Sequence, residues 1–275
     1  MRHRPRLRRA CLPVGAGLLF LGLSLGGLGT GGCSSVPYTE RAQLRLLPEA
    51  QEVSMGVQAY QEILKDKSIE TGSERSAMIE RIGRRLAAVS GKDYAWEFKL
   101  VQADDTVNAF CLPGGKIAVY TGILPYTQNE DGLAAVMGHE IAHAIARHGA
   151  ERVSQQVLTE SALTIVQAGL GQVSPAAQGP VMAALGVGTE VGIMLPYSRL
   201  HEHEADTIGL RLMVRAGYNP HEAVRLWERM ATIPGERPPP WMSTHPEPRE
   251  RAQRIAGQIP AVLAEERRAA PAGGR

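Results

Sequence analysis

Between Asn129 and Gly149 the apolar positions follow a helical rhythm. Leu133, Val136, Met137, Ile141, Ala144 and Ile145 recur at three- and four-residue intervals and line a wide apolar surface of one helix. Asn129 suits its N-cap, Glu130 and Asp131 suit the positive end of the dipole, and Arg147 and His148, just before the stop Gly149, suit the negative end. Comparable patterns predict helices over 40–65 and 74–89, parted by the breakers Thr71-Gly72-Ser73, and over 150–169 and 180–195, joined by 171–175. Arg199 to Ala216 is a further helix, with Ile208, Leu210, Leu212, Met213 and Val214 as core and Gly217 as its stop. Asn219-Pro220 opens another, whose core face is Leu226, Trp227 and Met230, and residues 247–259 make the last substantial helix. Two segments, Trp96–Val101 and Ile117–Thr121, are rich in β-branched and aromatic residues and predict strands. Asn108–Leu112 leads through the turn Pro113-Gly114-Gly115 into the second of these. Pro234–Pro240 is a rigid loop, and no internal repeat is visible. The fold class is therefore α+β, mainly helical, with a small sheet beside the helix at 130.

That helix contains His139-Glu140-Ile141-Ala142-His143, an HExxH motif. Residues four apart on a helix lie one turn up and about 40° apart around the axis, so both imidazoles reach one metal ion. Glu140 points too far round to be a third ligand, yet it can take a proton from a metal-bound water. A charged triplet among Met137, Gly138, Ile141 and Ala142 is costly to bury without a partner, which disfavours three merely solvated side chains.

A third donor is expected in His201-Glu202-His203-Glu204-Ala205-Asp206. Glu202 and Asp206 are four apart and share a helix face, whereas Glu204 and His203 lie on others. Glu on the metal, with Asp one turn later accepting a hydrogen bond from a ligating His, is a sensible pair. Geometry favours Glu202 over Glu204 and leaves Glu204 open.

Four blocks together resemble a known family of zinc endopeptidases, which includes the CAAX prenyl endopeptidases, HtpX-like membrane proteases, mitochondrial OMA-type proteases and bacterial periplasmic relatives. The blocks are Asn108 to Gly122, the HExxH at 139–143, Ser198-Arg199 with Glu202-His-Glu-Ala-Asp206, and Ser243-Thr-His245-Pro with Arg251 six residues past the histidine. The resemblance covers roughly residues 45 to 258. It implies a zincin-like (gluzincin) peptidase domain, one Zn2+ per chain, Glu202 as third ligand, and an edge strand beside the cleft. On that strand Asn108, Ala109 and Phe110 would pair with an extended peptide through backbone bonds. An ordinary hairpin remains the other possibility.

His139, His143 and Glu202 would leave a fourth zinc position for water, whose pKa the metal lowers towards 7. Glu140 is then the general base. His245, in a Thr-His-Pro turn, is the leading candidate to donate to the developing oxyanion, with Arg199 and Tyr197 behind it. Its alternatives are a fourth ligand that blocks water, or a capping histidine.

The first thirty residues change the picture of location. Arg2, Arg4, Arg6, Arg8 and Arg9 precede an apolar run from Leu12 to Leu28, and Gly31-Gly32-Cys33-Ser34 follows. This is the form of a lipoprotein signal peptide over 1–32, with Cys33 lipidated, although Thr30 stands where Leu is usual. Ser34 after the cysteine points to the outer membrane and the periplasm. The segment holds five basic and no acidic residues; without it, 25 basic face 28 acidic residues, a net charge of about −3 in place of +2. No basic patch then argues for nucleic acid.

Of three cysteines, Cys11 lies in the leader and Cys33 at the lipidation site, so Cys111 is expected unpaired; a Cys33–Cys111 disulfide is the alternative. Gln167, Gln172, Gln178 and Glu190 interrupt any apolar run in 150–195, so no membrane span is expected there. One peptidase domain over 33–268 and a disordered tail, 269–275, complete the expectation. The expected function is endopeptidase cleavage of misfolded or unassembled envelope proteins, with unfolded polypeptide as partner. The alternative is a chaperone-like binding module with little or no cleavage.

Overall fold

The structure, a computed structural model, describes residues 33–160, 197–233, 238–246 and 248–269, without the side chains of Cys33 and 156–160. The expected elements at 1–32, 161–196 and 270–275 lie outside these residues.

The N-terminal part differs from the helix expected over 40–65. Cys33–Ser35 (β1) and Ala42–Leu44 (β2) form an antiparallel hairpin, and the helix (α1) runs only over Glu49–Leu64. The cause is local. Tyr38 and Glu40 take left-handed φ values of 68° and 53° in the hairpin turn, and Pro48, extended at ψ 143°, precedes the first helical residue. Thr71-Gly72-Ser73 breaks the chain as expected, with Ser73 making a capping box with Ser76 at the start of α2 (Glu74–Ala88).

Four strands form the main sheet: β3 (Ile69–Glu70), β4 (Glu97–Val101), β5 (Ala109–Leu112) and β6 (Lys116–Tyr120). Their order is β3-β4-β6-β5, with β4 and β6 parallel and β5 and β6 an antiparallel hairpin. Pro113 and Gly114 turn that hairpin; Gly114 has φ 83°, which glycine tolerates without strain. β3 was not expected, because two residues give no period. Both faces of the sheet are covered, so β5 and the part of β6 after Lys116 are runs without polar alternation. Ala109, Cys111, Ile117 and Val119 face the main core, while Phe110, Leu112, Ala118 and Tyr120 face a second cluster with Ala59, Tyr60 and Leu64 of α1.

A 3-10 turn, Thr121–Ile123, and α3 (Leu124–Thr127) lead to α4 (Glu130–Ile145). Asn129 caps α4 by accepting from Gly132 N–H at 2.8 Å. The helix stops before the expected Gly149: Arg147 turns left-handed at φ 55°, and α5 (His148–Glu160) begins one residue later. The next described helix, α6 (Arg199–Arg215), opens on a Ser198 cap. It ends in a Schellman motif, with Tyr218 N–H on Met213 C=O at 2.8 Å and Gly217 N–H on Val214 C=O at 3.1 Å. α7 (His221–Met230), α8 (Pro240–Thr244) and α9 (Pro248–Ala269) follow. α8 occupies the end of the expected loop, and α9 runs past 259 through Pro260 to include Ala269, which the sequence placed in the tail.

α4 and α6 cross at two glycines. A Cβ on Gly209 would come to 3.0 Å from His139 N and 3.1 Å from Gly138 C, so any larger residue would force the two backbones apart by a few tenths of an ångström. The crossing sets Glu202 of α6 opposite the histidines of α4. No described helix is long and apolar enough to cross a membrane.

Candidate metal centre

His139, His143, Glu202 and His245 come together, each offering a donor atom within 4.8 Å of the others. His139 and His143 arrive from consecutive turns of α4, Glu202 from the first turn of α6, and His245 from the residue closing α8. His139 Nε2 lies 3.1 Å from His143 Nε2 and 3.4 Å from Glu202 Oε2, and His143 Nε2 lies 3.4 Å from Glu202 Oε1. Around a tetrahedral ion with bonds of about 2.0 Å, neighbouring donors stand about 3.3 Å apart. The spacing and the two-imidazole, one-carboxylate donor set therefore fit zinc. Donor atoms this close are costly to bury without a cation between them, and all four residues are at most 4% exposed.

His245 fits the same figure. Its Nδ1 is 3.0 Å from Glu202 Oε1 and 3.2 Å from His139 Nε2, and its Nε2 is 3.4 Å from Glu140 Oε1. The ring thus stands at a corner of the donor set, between the donors and Glu140. Glu140 is oriented by Trp241, whose Nε1–H donates to Oε1 at 2.7 Å. Trp241 is fully buried, stacks on Trp227 at 4.8 Å, and ties its own N–H to Val107 C=O. Sequence inspection missed Trp241; its place beside the Pro-rich loop was the only signal.

Asp206 has its Oδ1 3.1 Å from His139 Nδ1. It also holds Arg251 and Arg254, both at 2.5 Å. Arg251 is buried, reaches Glu202 Oε2 at 2.6 Å, and lies over the Trp227 ring at 3.5 Å. Burial and Arg251 oppose a proton on His139, but Asp206 and Glu202 overcome them and raise it to about 9. Burial keeps His143 well below the ordinary histidine value. Burial also opposes ionisation of Asp206, which Arg251 and His139 outweigh, holding it at about 2. His245 and Arg251 do the same for Glu202, well below the usual carboxylate range, against the cost of burial.

The remaining expected residues are placed differently. Tyr197 stacks on His143, ring centroids 3.8 Å apart, and Arg199 is exposed at the start of α6. Glu204, the alternative third donor, faces away from the cluster towards His148 and Arg41. Asn108 and Ala109 flank the start of the sheet's end strand, Asn108 accepting from Ala109 N–H at 3.0 Å. Phe110 points into the α1 cluster, edge-on to Tyr60. Cys33 opens the β1–β2 hairpin, and Cys111 is a buried free thiol, so the Cys33–Cys111 disulfide is not made.

An HExxH helix, a carboxylate from a second helix and a small sheet alongside define the class: a gluzincin-type metallopeptidase. The model of Peptidase family M48 matches residues 73–259, and the chain belongs to that family. It is 37% identical over 231 residues to the mitochondrial metalloendopeptidase OMA1 of Schizosaccharomyces pombe, covering 82% of this chain and 66% of that protein. It is 31% identical over 259 residues to mitochondrial metalloendopeptidase OMA1 of Saccharomyces cerevisiae, covering 84% and 72%. To the beta-barrel assembly-enhancing protease of Escherichia coli K12 it is 28% identical over 207 residues, covering 73% of this chain but 42% of that protein. The chain thus spans about two thirds of the fission-yeast relative and less than half of the bacterial one.

Proposed function

We propose that the chain is a zinc-dependent endopeptidase of the cell envelope, lipidated at Cys33, that cleaves misfolded or unassembled envelope proteins. The observation that carries this reading is the tetrahedral spacing of His139, His143 and Glu202 with Glu140 alongside. The kinship with a bacterial protease whose name refers to β-barrel assembly favours envelope substrates, and the leader with Gly32-Cys33-Ser34 favours the lipid anchor and the periplasmic face of the outer membrane.

His139, His143 and Glu202 would hold the ion. Zinc bound there acidifies a water and polarises the scissile carbonyl. The chain's own part falls to Glu140. Trp241 donates to Oε1 and orients the carboxylate, which takes the proton and returns it to the leaving amine. Arg251 offsets the charge of Glu202 and Asp206 and so holds both carboxylates ionised. The end strand β5 is the element against which an extended substrate would align, through backbone bonds and not through Phe110.

The position of His245 favours a latent form of this enzyme. Its ring stands where a water would otherwise be activated, and Glu140 is only 2% exposed. His245→Ala then raises turnover of an unfolded substrate; a large loss assigns it as the oxyanion donor, and no change leaves it a capping residue. The core test is Glu140→Gln with zinc content and casein cleavage measured together. Zinc retained with cleavage down by about 10²–10⁴-fold supports the enzyme. Unchanged cleavage removes Glu140 from the mechanism. Mass spectrometry of the mature N-terminal peptide tests acylation of Cys33.

A further inference from the structure

Beside the donor cluster lies a second buried polar network that the catalytic scheme does not use. Arg41, in β1–β2's returning approach to Ala42, forks across two carboxylates. Its Nη1 and Nη2 meet Glu151 Oε1 and Oε2 at 2.7 and 2.6 Å, and its Nε meets Glu204 Oε2 at 2.8 Å. Thr39 Oγ1 donates to Glu204 Oε1 at 2.5 Å, and Gln43 Nε2 donates to Glu151 Oε2 at 2.8 Å. His201 Nε2 lies 3.1 Å from Glu151, and its ring stacks on His148. His148 is fully buried, with Nε2 3.3 Å from Glu204 Oε2 and Nδ1 2.8 Å from His143 Nδ1.

We propose that His148 and Arg41 are positioning residues for His143: the N-terminal hairpin grips Glu204 and Glu151, Glu204 holds His148, and His148 fixes the tautomer and ring plane of His143. The inference rests on the zinc reading above. His143 Nε2 faces the donor cluster, so its lone pair is free only when the ring proton sits on Nδ1. That proton needs an acceptor, and His148 Nδ1 is in place at 2.8 Å. His148 must then bear its own proton on Nε2, the atom that faces Glu204. Each hydrogen bond selects the next tautomer, and the chain ends on a carboxylate clamped by Arg41 and Thr39. A metal-bound histidine ordinarily passes its second N–H to a carboxylate, carbonyl or water. Here an imidazole is interposed, and the carboxylate stands one residue further out. Glu202 and Glu204, two residues apart on α6, thereby serve the same site from two faces of one helix.

The test uses the full chain, with zinc affinity measured by chelator competition and ligand geometry read from the visible spectrum of the cobalt-substituted protein. His148→Leu weakens zinc binding by about 10–100-fold and shifts the cobalt bands. Glu204→Gln and Arg41→Ala do so less, in that order, and Arg41→Lys recovers part of the loss. Adding Arg41→Ala to His148→Leu costs no further affinity, because both act along one path. A merely architectural role lowers the melting temperature of the metal-free chain and leaves zinc affinity and the cobalt spectrum unchanged, which overturns the proposal, as do additive losses. Should His148→Leu fail to fold, the isosteric Glu204→Gln decides by the same two readouts. A wild-type chain that binds no zinc overturns the metal reading itself, an outcome distinct from either.

Discussion

The two histidines of α4 occupy equivalent positions on one helix face, yet they are supported in opposite ways. His139 is held from within the helical core: Asp206 accepts from it directly, and Asp206 is anchored by Arg251 and Arg254 of α9. His143 is held through a neutral partner, His148, and beyond it by a hairpin from the far N-terminal end of the described chain. One support is charged and local to the α6–α9 contact; the other is an imidazole relay spanning three separate segments. The difference teaches that the donor cluster is over-determined on one side and dependent on a peripheral element on the other.

The largest effect is expected on the charged side. Asp206→Asn leaves Arg251 buried with only Glu202 to answer it, and denaturant unfolding of the metal-free chain should show a loss of about 3–5 kcal/mol. A loss below 1 kcal/mol would mean the two supports are alike. Gly209→Ala strikes both sides at once by pushing α6 off α4. It should cost about 1–3 kcal/mol and weaken zinc binding, as calorimetry with added zinc would show.

Stability against pH separates the sides without touching the metal. His139 is raised to about 9, so its contribution to the metal-free chain is complete below about 6.5 and is lost as pH rises through 9. Burial, only partly offset by Glu204, depresses His148 to about 4, so its contribution is complete above about 6.5 and is lost as pH falls towards 4. Asp206→Asn should flatten the alkaline fall and His148→Leu the acid one, each read from melting temperatures across pH 4–10 in chelator. The smallest effect is expected from Asn129→Ala, which removes the α4 cap far from either support. It should cost about 1 kcal/mol with zinc affinity unchanged.

How much of this was legible in sequence follows from the range of each interaction. The HExxH face, the Asn129 cap, and the four-residue step from Glu202 to Asp206 are local features of single helices, so each can be read from one segment alone; the structure puts them on α4 and α6 and groups His139, His143 and Glu202. The start of α1 differs from the pattern because the segment after Thr39 has helical composition, and only hairpin pairing and Pro48 override it. Its place just before Gly149 marks His148 in sequence as a cation near a helix end, whereas burial makes it a neutral partner of His143. Arg41 meets Glu151 and Glu204 across 110 and 163 residues, and Trp241 meets Glu140 across 101, so no spacing could have announced them. Gly138 and Gly209 lie inside helices, and only the crossing of α4 and α6 shows what they admit.

The central claim is that side chains from two helices converge on one cation. Anomalous diffraction at the zinc edge, from crystals of the zinc-loaded chain, tests it most directly. The account predicts a single ion about 2.0–2.2 Å from His139 Nε2, His143 Nε2 and one Glu202 oxygen. An ion seated instead among His148, His201 and Glu151, or a Glu202 carboxylate bound to Arg251 alone, would contradict it.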